Sequence, residues 1–191
     1  EVKCIRHGIG VVTSTTSWSA TATNNSNRLA EFIYQFYIEA PKLELLDPSD
    51  TSMEPATASY EVTVKVNGQK VFSSEATLRG RREGHTLTES GTDLGGTFFS
   101  QPGANRYGYQ FSPYQGILSL GFYPPGESVL VESSLQAVAR AVSLEAGSFA
   151  QVGDPLDLGS DPGMYNTITV GEPLAVQSNS WGAVKELYRG R

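Results

Sequence analysis

"SYEVTVKVNGQKVF", residues Ser59 to Phe72, decides the fold. Tyr60, Val62, Val64 and Val66 point one way and Glu61, Thr63 and Lys65 the other. That period of two fits an extended strand with one face in the core and one in water. Asn67-Gly68 follows at once, a pair that accepts the positive φ angles of a tight primed turn, so the chain is expected to return antiparallel from Gln69 to Leu78.

The same pattern extends outward in both directions. In "LAEFIYQFYIEAP" (Leu29 to Pro41), Phe32, Tyr34, Phe36 and Ile38 share one face, with Ile33 and Tyr37 opposite. This suits a central strand covered on both sides and ended by Pro41. Downstream, Tyr107 to Ser112, Gly116 to Phe122 and a run from Ser128 read as three strand pieces, the last two joined by the turn Pro124-Pro125-Gly126. "ESSLQAVARAVSLEAG" (Glu132 to Gly147) is ambiguous, because Leu135, Val138 and Val142 sit at helical spacing and alanine favours helix. As a strand continuing from Val129 it places Val131, Leu135, Ala137, Ala139 and Ala141 on one flat face, and strand is the reading taken. "MYNTITVG" (Met164 to Gly171) is the last strand. The whole is expected to be an all-β, antiparallel β-sandwich with a jelly-roll-like or immunoglobulin-like strand order. Residues 24–171 form the sandwich domain, 1–23 an N-terminal extension strand, and 172–191 a tail with a short helix.

Composition narrows the function. A length of 191 residues suits one domain with a real core, and a formal net charge of -6 repels phosphate backbones and anionic headgroups. Nucleic acid and membrane surface are therefore not expected partners, and no apolar stretch is long enough to span a bilayer. The basic cluster Arg79-Gly80-Arg81-Arg82 reads as a solvated loop. Cys4 stands alone, which rules out an intrachain disulfide and a thiolate metal cage. His7 and His85 lie near no nucleophile-elbow pattern, and Glu61, Glu75 and Glu132 fall on polar strand faces. No catalytic set, cofactor or metal is expected, apart from a weak calcium candidate at Asp154, Asp157 and Asp161, where Asp-Pro turn chemistry is the plainer account. Tyr107, Tyr109, Tyr114 and Tyr123 would make a sugar-stacking platform if exposed, but cross-strand packing is the preferred reading. Asn24-Asn25-Ser26 matches a glycosylation acceptor.

The two ends complete the reading. "NSWGAVKELYRGR" (Asn179 to Arg191) can form an amphipathic helix capped by Ser180, with Trp181, Val184, Leu187 and Tyr188 on the docking side. "YEVTVKVNG", "PPGESVLV" and "GDPLDL" in that order resemble secreted bacterial β-sandwich proteins of the cell-surface kind, and "SWGAVKELYR" is similar to tails of exported proteins. With a first residue of Glu1 rather than Met, export after signal removal is the expectation. Near the start, "GVVTSTTSWSATATN" (Gly10 to Asn24) resembles the donor strand of pilus subunits that polymerise by strand exchange. The resemblance implies that Val12, Ser14, Thr16, Trp18, Ala20 and Ala22 fill the groove of another copy by β-augmentation, a set favoured for Trp18 over the opposite one of Val11, Thr13, Thr15, Ser17, Ser19 and Thr21, with Asn24 to Asn27 as a hinge. The plain alternative is a first strand folded into its own sheet. The function expected is thus a subunit of an extracellular filament or surface layer, polymerising with copies of itself. The alternative is a secreted carbohydrate-binding or adhesion domain with a glycan as partner.

Overall fold

The computed structural model describes residues 2–46, 56–81, 84–101, 106–153 and 164–171. These form thirteen strands and, among the described residues, no helix: β1 (Val2–His7), β2 (Gly10–Thr23), β3 (Ala30–Ile38), β4 (Lys42–Leu46), β5 (Ala56–Val66), β6 (Gln69–Arg81), β7 (Gly84–Gly91), β8 (Gly96–Gln101), β9 (Arg106–Phe111), β10 (Tyr114–Tyr123), β11 (Ser128–Ala141), β12 (Gly147–Val152) and β13 (Met164–Gly171). All pairings are antiparallel, in three sheets ordered β2-β11-β5-β6-β7, β1-β12-β4-β9-β8 and β10-β3-β13.

Proline explains why β1-β12-β4-β9-β8 and β10-β3-β13 are two sheets and not one. β4 pairs with β9 while β3 pairs with β10, so two neighbouring strands change sheet side by side, at Pro41 on one and Ser112-Pro113 on the other. Proline has no N–H to give to a ladder and fixes its own φ, so the pairing cannot run through. The corner is held by the Phe111 amide donating to the Pro41 carbonyl at 2.9 Å and by the Gln110 side-chain amide donating to the same carbonyl at 3.1 Å.

The sheets β1-β12-β4-β9-β8 and β10-β3-β13 both pack on the inner face of β2-β11-β5-β6-β7. On one half, the Cys4 thiol donates to the Ala137 carbonyl (3.2 Å) and the Tyr60 and Phe111 rings meet at 4.9 Å. On the other, Phe72 meets Phe36 at 4.9 Å and Tyr114 at 5.4 Å. β11 supplies the shared floor, with Val129, Val131, Leu135, Ala137, Ala139 and Ala141 buried. Its strand periodicity settles the helix-or-strand ambiguity, and its alanines let β1 and β12 approach closely. Burial pushes the pKa values of the Cys4 thiol and the Tyr60 hydroxyl upward; backbone N–H groups of Ser14 and Ala139 partly oppose this at Cys4, as the Ser74 hydroxyl does at Tyr60.

The opening hairpin is as the sequence requires. Asn67 and Gly68 have φ of 49° and 80°, and Asn67 is further tied to β11 by exchange with Leu130: its amide donates to the Leu130 carbonyl (2.8 Å) and its side-chain oxygen accepts from the Leu130 amide (2.9 Å). A side chain at Gly68 would meet nothing within 4 Å, so Gly68→Val tests the backbone alone. It is expected to cost about 1 kcal/mol or more in thermal unfolding through the positive φ, and an unchanged melting temperature would contradict it.

Several expectations are corrected. Residues 2–23 are not an extension: β1 lies in one layer with Val2 and Cys4 buried, and β2 pairs along its whole length with β11 of the same chain. The basic cluster is not a loop throughout: Arg79, Gly80 and Arg81 belong to β6. The tail residues Trp181, Val184, Leu187 and Tyr188, and the acidic loop with Asp154, Asp157 and Asp161, lie outside the described residues.

Candidate functional site

The run from Gly10 to Thr23 is an edge strand. β2 holds fourteen residues in unbroken register with β11, from Gly10 opposite Ala141 to Thr23 opposite Ser128. No other strand among the described residues pairs with its outer side. The set singled out from sequence does face inward: Val12, Ser14, Ala20 and Ala22 are half-buried, though in their own chain's core and not a neighbour's. Thr16 and Trp18 share that face and are exposed, so the strand is wet at its middle.

Trp18 marks the opening between layers. Its ring stacks on Tyr34 at 6.3 Å, and beside it a cavity of about 230 Å³ lies between β2 and β13, lined by Ser133, Leu135, Met164 and Asn166 among others. The Tyr34 side chain is buried; desolvation pushes its hydroxyl up to about 12, with the Ser133 hydroxyl pulling the other way.

The supposed hinge is a locked corner. Asn24 is 2% exposed, and its side chain makes four hydrogen bonds: the amide nitrogen donates to the carbonyls of Arg28 and Tyr123 (2.7 Å each), and the oxygen accepts from the Ser26 amide and hydroxyl (3.0 and 2.7 Å). Its backbone is tied to Glu127 and Gly126 as well. A buried, saturated amide is neither a swivel nor an accessible glycan acceptor.

What distinguishes β2 is the absence of edge protection. Sheet edges are normally short, charged, interrupted by proline or bent by a bulge, because a free row of N–H and C=O groups templates pairing with another strand. Gly10–Thr23 contains no charged residue and no proline. The other edges differ: β1, β8 and β13 are shorter, β1 carries Lys3 and Arg6, β7 carries Glu89, and β10 has a bulge between Ser119 and Gly121. Outward along β2 stand Thr13, Thr15, Ser17, Ser19 and Thr21, all exposed.

The other candidate residues sort themselves on the same framework. Glu61 and Glu75 are register partners on the outer sheet face, where the Ser90 hydroxyl donates to Glu75 (3.1 Å); the depression beside them is about 80 Å³. Glu132 is on the same face beside Ser17 and Ser19, away from that pair. Tyr114 and Tyr123 turn inward onto Phe36 and Phe32, and Tyr107 and Tyr109 pack with His85 and Phe98, so the four tyrosines form no common platform. Among the described residues no group of three or more His, Cys, Asp or Glu is placed to hold a metal ion, and no helix could cross a membrane.

No protein-family model and no curated protein matches the chain.

Proposed function

We propose that this chain is a structural subunit of an extracellular filament or surface layer, a β-sandwich whose copies join by main-chain pairing at the edge of β2 that no described strand covers. One observation carries the reading: a fourteen-residue edge with no charge, no proline and no bulge. Edge pairing replaces donation of the whole strand, because β1 and the Asn24 corner hold β2 in its own sheet. The edge also suits a contact between like copies. A chain of net charge -6 repels itself, and an uncharged strand is where two copies can approach without opposing like charges. β2 and β7 are the two ends of one sheet. A β2 edge laid on the β7 edge of the next copy continues that sheet without closing, which gives a filament. The subunit works by binding and not by catalysis, outside the cell as the surface-protein resemblance implies. The alternative, a carbohydrate-binding domain, draws its support from a different face, that of the sheet β1-β12-β4-β9-β8.

The test uses Thr13→Lys, Thr15→Lys and Ser17→Lys together, three exposed positions on β2. Stability should stay within about 0.5 kcal/mol per site, while a concentration-dependent series of oligomers, seen by analytical ultracentrifugation and electron microscopy for the parent, collapses to monomer. A parent that stays monomeric at high concentration, or a triple variant that assembles as well as the parent, would overturn the reading. A series that stops at the dimer would overturn the filament.

A further inference from the structure

The outer face of the sheet β1-β12-β4-β9-β8 gathers three cations and two aromatic rings in a chain that is otherwise acidic. The register sets their layout. Lys3 and Lys42 stand in one cross-strand row, two strands apart, which is about 10 Å. The next row runs Ile5, Phe149, Glu44, Gly108 and Phe99, and Arg106 lies in the row after that. A Cβ at Gly108 would come within 2.2 Å of the Phe99 ring, so the missing side chain is what lets that ring lie down on the sheet.

Glu44 organises the patch from beneath. It is 1% exposed, and its carboxylate is paired with Lys42 (3.0 Å) and with the Arg106 guanidinium. The Lys42 and Arg106 side chains remain 32% and 41% exposed, so the pairing fixes them at the surface without removing them from it. Lys42 also lies over the rings of Phe99 (5.0 Å) and Phe149 (5.8 Å), and Lys3 over Phe149 (5.6 Å).

We propose that this face binds an anionic polysaccharide, a polymer of uronic acids. Its carboxylates would be taken by Lys3, Lys42 and Arg106, and the C–H faces of its sugar rings by Phe149 and Phe99. Three cations against one carboxylate make the patch locally positive in a chain of net charge -6. The flat rings suit a pyranose, whose apolar side they cover while its hydroxyls stay in water. A phosphate backbone, with its denser charge, meets too few cations here. The proposal does not depend on pairing at β2.

Titration calorimetry with galacturonate oligomers, neutral dextran oligomers and a single-stranded DNA oligomer of matched charge tests it. The galacturonate oligomer should bind, more weakly as salt rises, and dextran should not. Lys3→Glu, at an exposed position, should lower the affinity about fivefold to tenfold with an unchanged melting temperature, while Lys3→Arg keeps it. No binding to galacturonate, equal binding to dextran, an unaffected Lys3→Glu variant, or DNA binding as tight as galacturonate would each overturn the assignment.

Discussion

Phe36→Ala is expected to cost about 3–5 kcal/mol, the range for deleting a buried aromatic ring. Phe36 is 2% exposed and meets Tyr34 (5.4 Å), Phe72 (4.9 Å) and Tyr114 (6.0 Å), so one ring links β3 to its neighbour β10 and to β6 in the facing sheet. It also covers Gly116, where a Cβ would fall 2.2 Å from the ring. A glycine has no side chain to turn into the space, so the void cannot heal from that side. Domains are stable by about 5–15 kcal/mol, which places this variant near the limit of folding. Urea unfolding with Phe36→Leu alongside measures it; a loss below about 1 kcal/mol would show that the ring does not bridge the layers.

Lys42→Ala with Arg106→Ala is expected to destabilise toward the lower end of about 3–5 kcal/mol, the cost of leaving a buried carboxylate without its partners. The lower end applies because both cations keep about a third or more of their side chains in water, so the pairs are already screened. Glu44→Gln should cost much less, since it leaves two partly exposed cations that water can solvate. The asymmetry is the signature. Equal losses in the two variants by urea unfolding would mean that Glu44 is not effectively buried. Because these residues also carry the polyuronate proposal, Lys3 serves as the binding probe and this pair as the stability probe.

Much of the fold could be read from the chain because alternation is a local signal. Tyr60 to Val66, Phe32 to Ile38 and Met164 to Gly171 each carry their period of two within a few residues, and Asn67-Gly68 states its turn type in two. The strands that went unread are β1, β4, β7, β8 and β12. They are short or carry polar residues on an inward face, such as Ser148, whose hydroxyl is satisfied by the Arg140 carbonyl. Such a residue signals loop until its distant partner is known. Glu44 is the same case among charges: in sequence it looks like surface, and only the cations on β4 and β9 make its burial tolerable.

By itself, then, the sequence determined that this protein is built from antiparallel strands, which residues of each clear strand face the core, and that β2 is an uncharged strand. Those properties follow from nearest-neighbour geometry and side-chain chemistry. Tertiary structure alone decided where β2 pairs. Thr, Ser and small residues fit a strand in this chain or in another equally well, and alternation says nothing about the partner. What fixed the choice was the Asn24 corner and the burial of Val2 and Cys4, contacts between residues up to 133 positions apart. The basic aromatic face is of the same kind: Lys3, Lys42, Arg106, Phe99 and Phe149 become neighbours only because the five strands are ordered β1-β12-β4-β9-β8, an order set by the packing of the layers and by the two proline breaks.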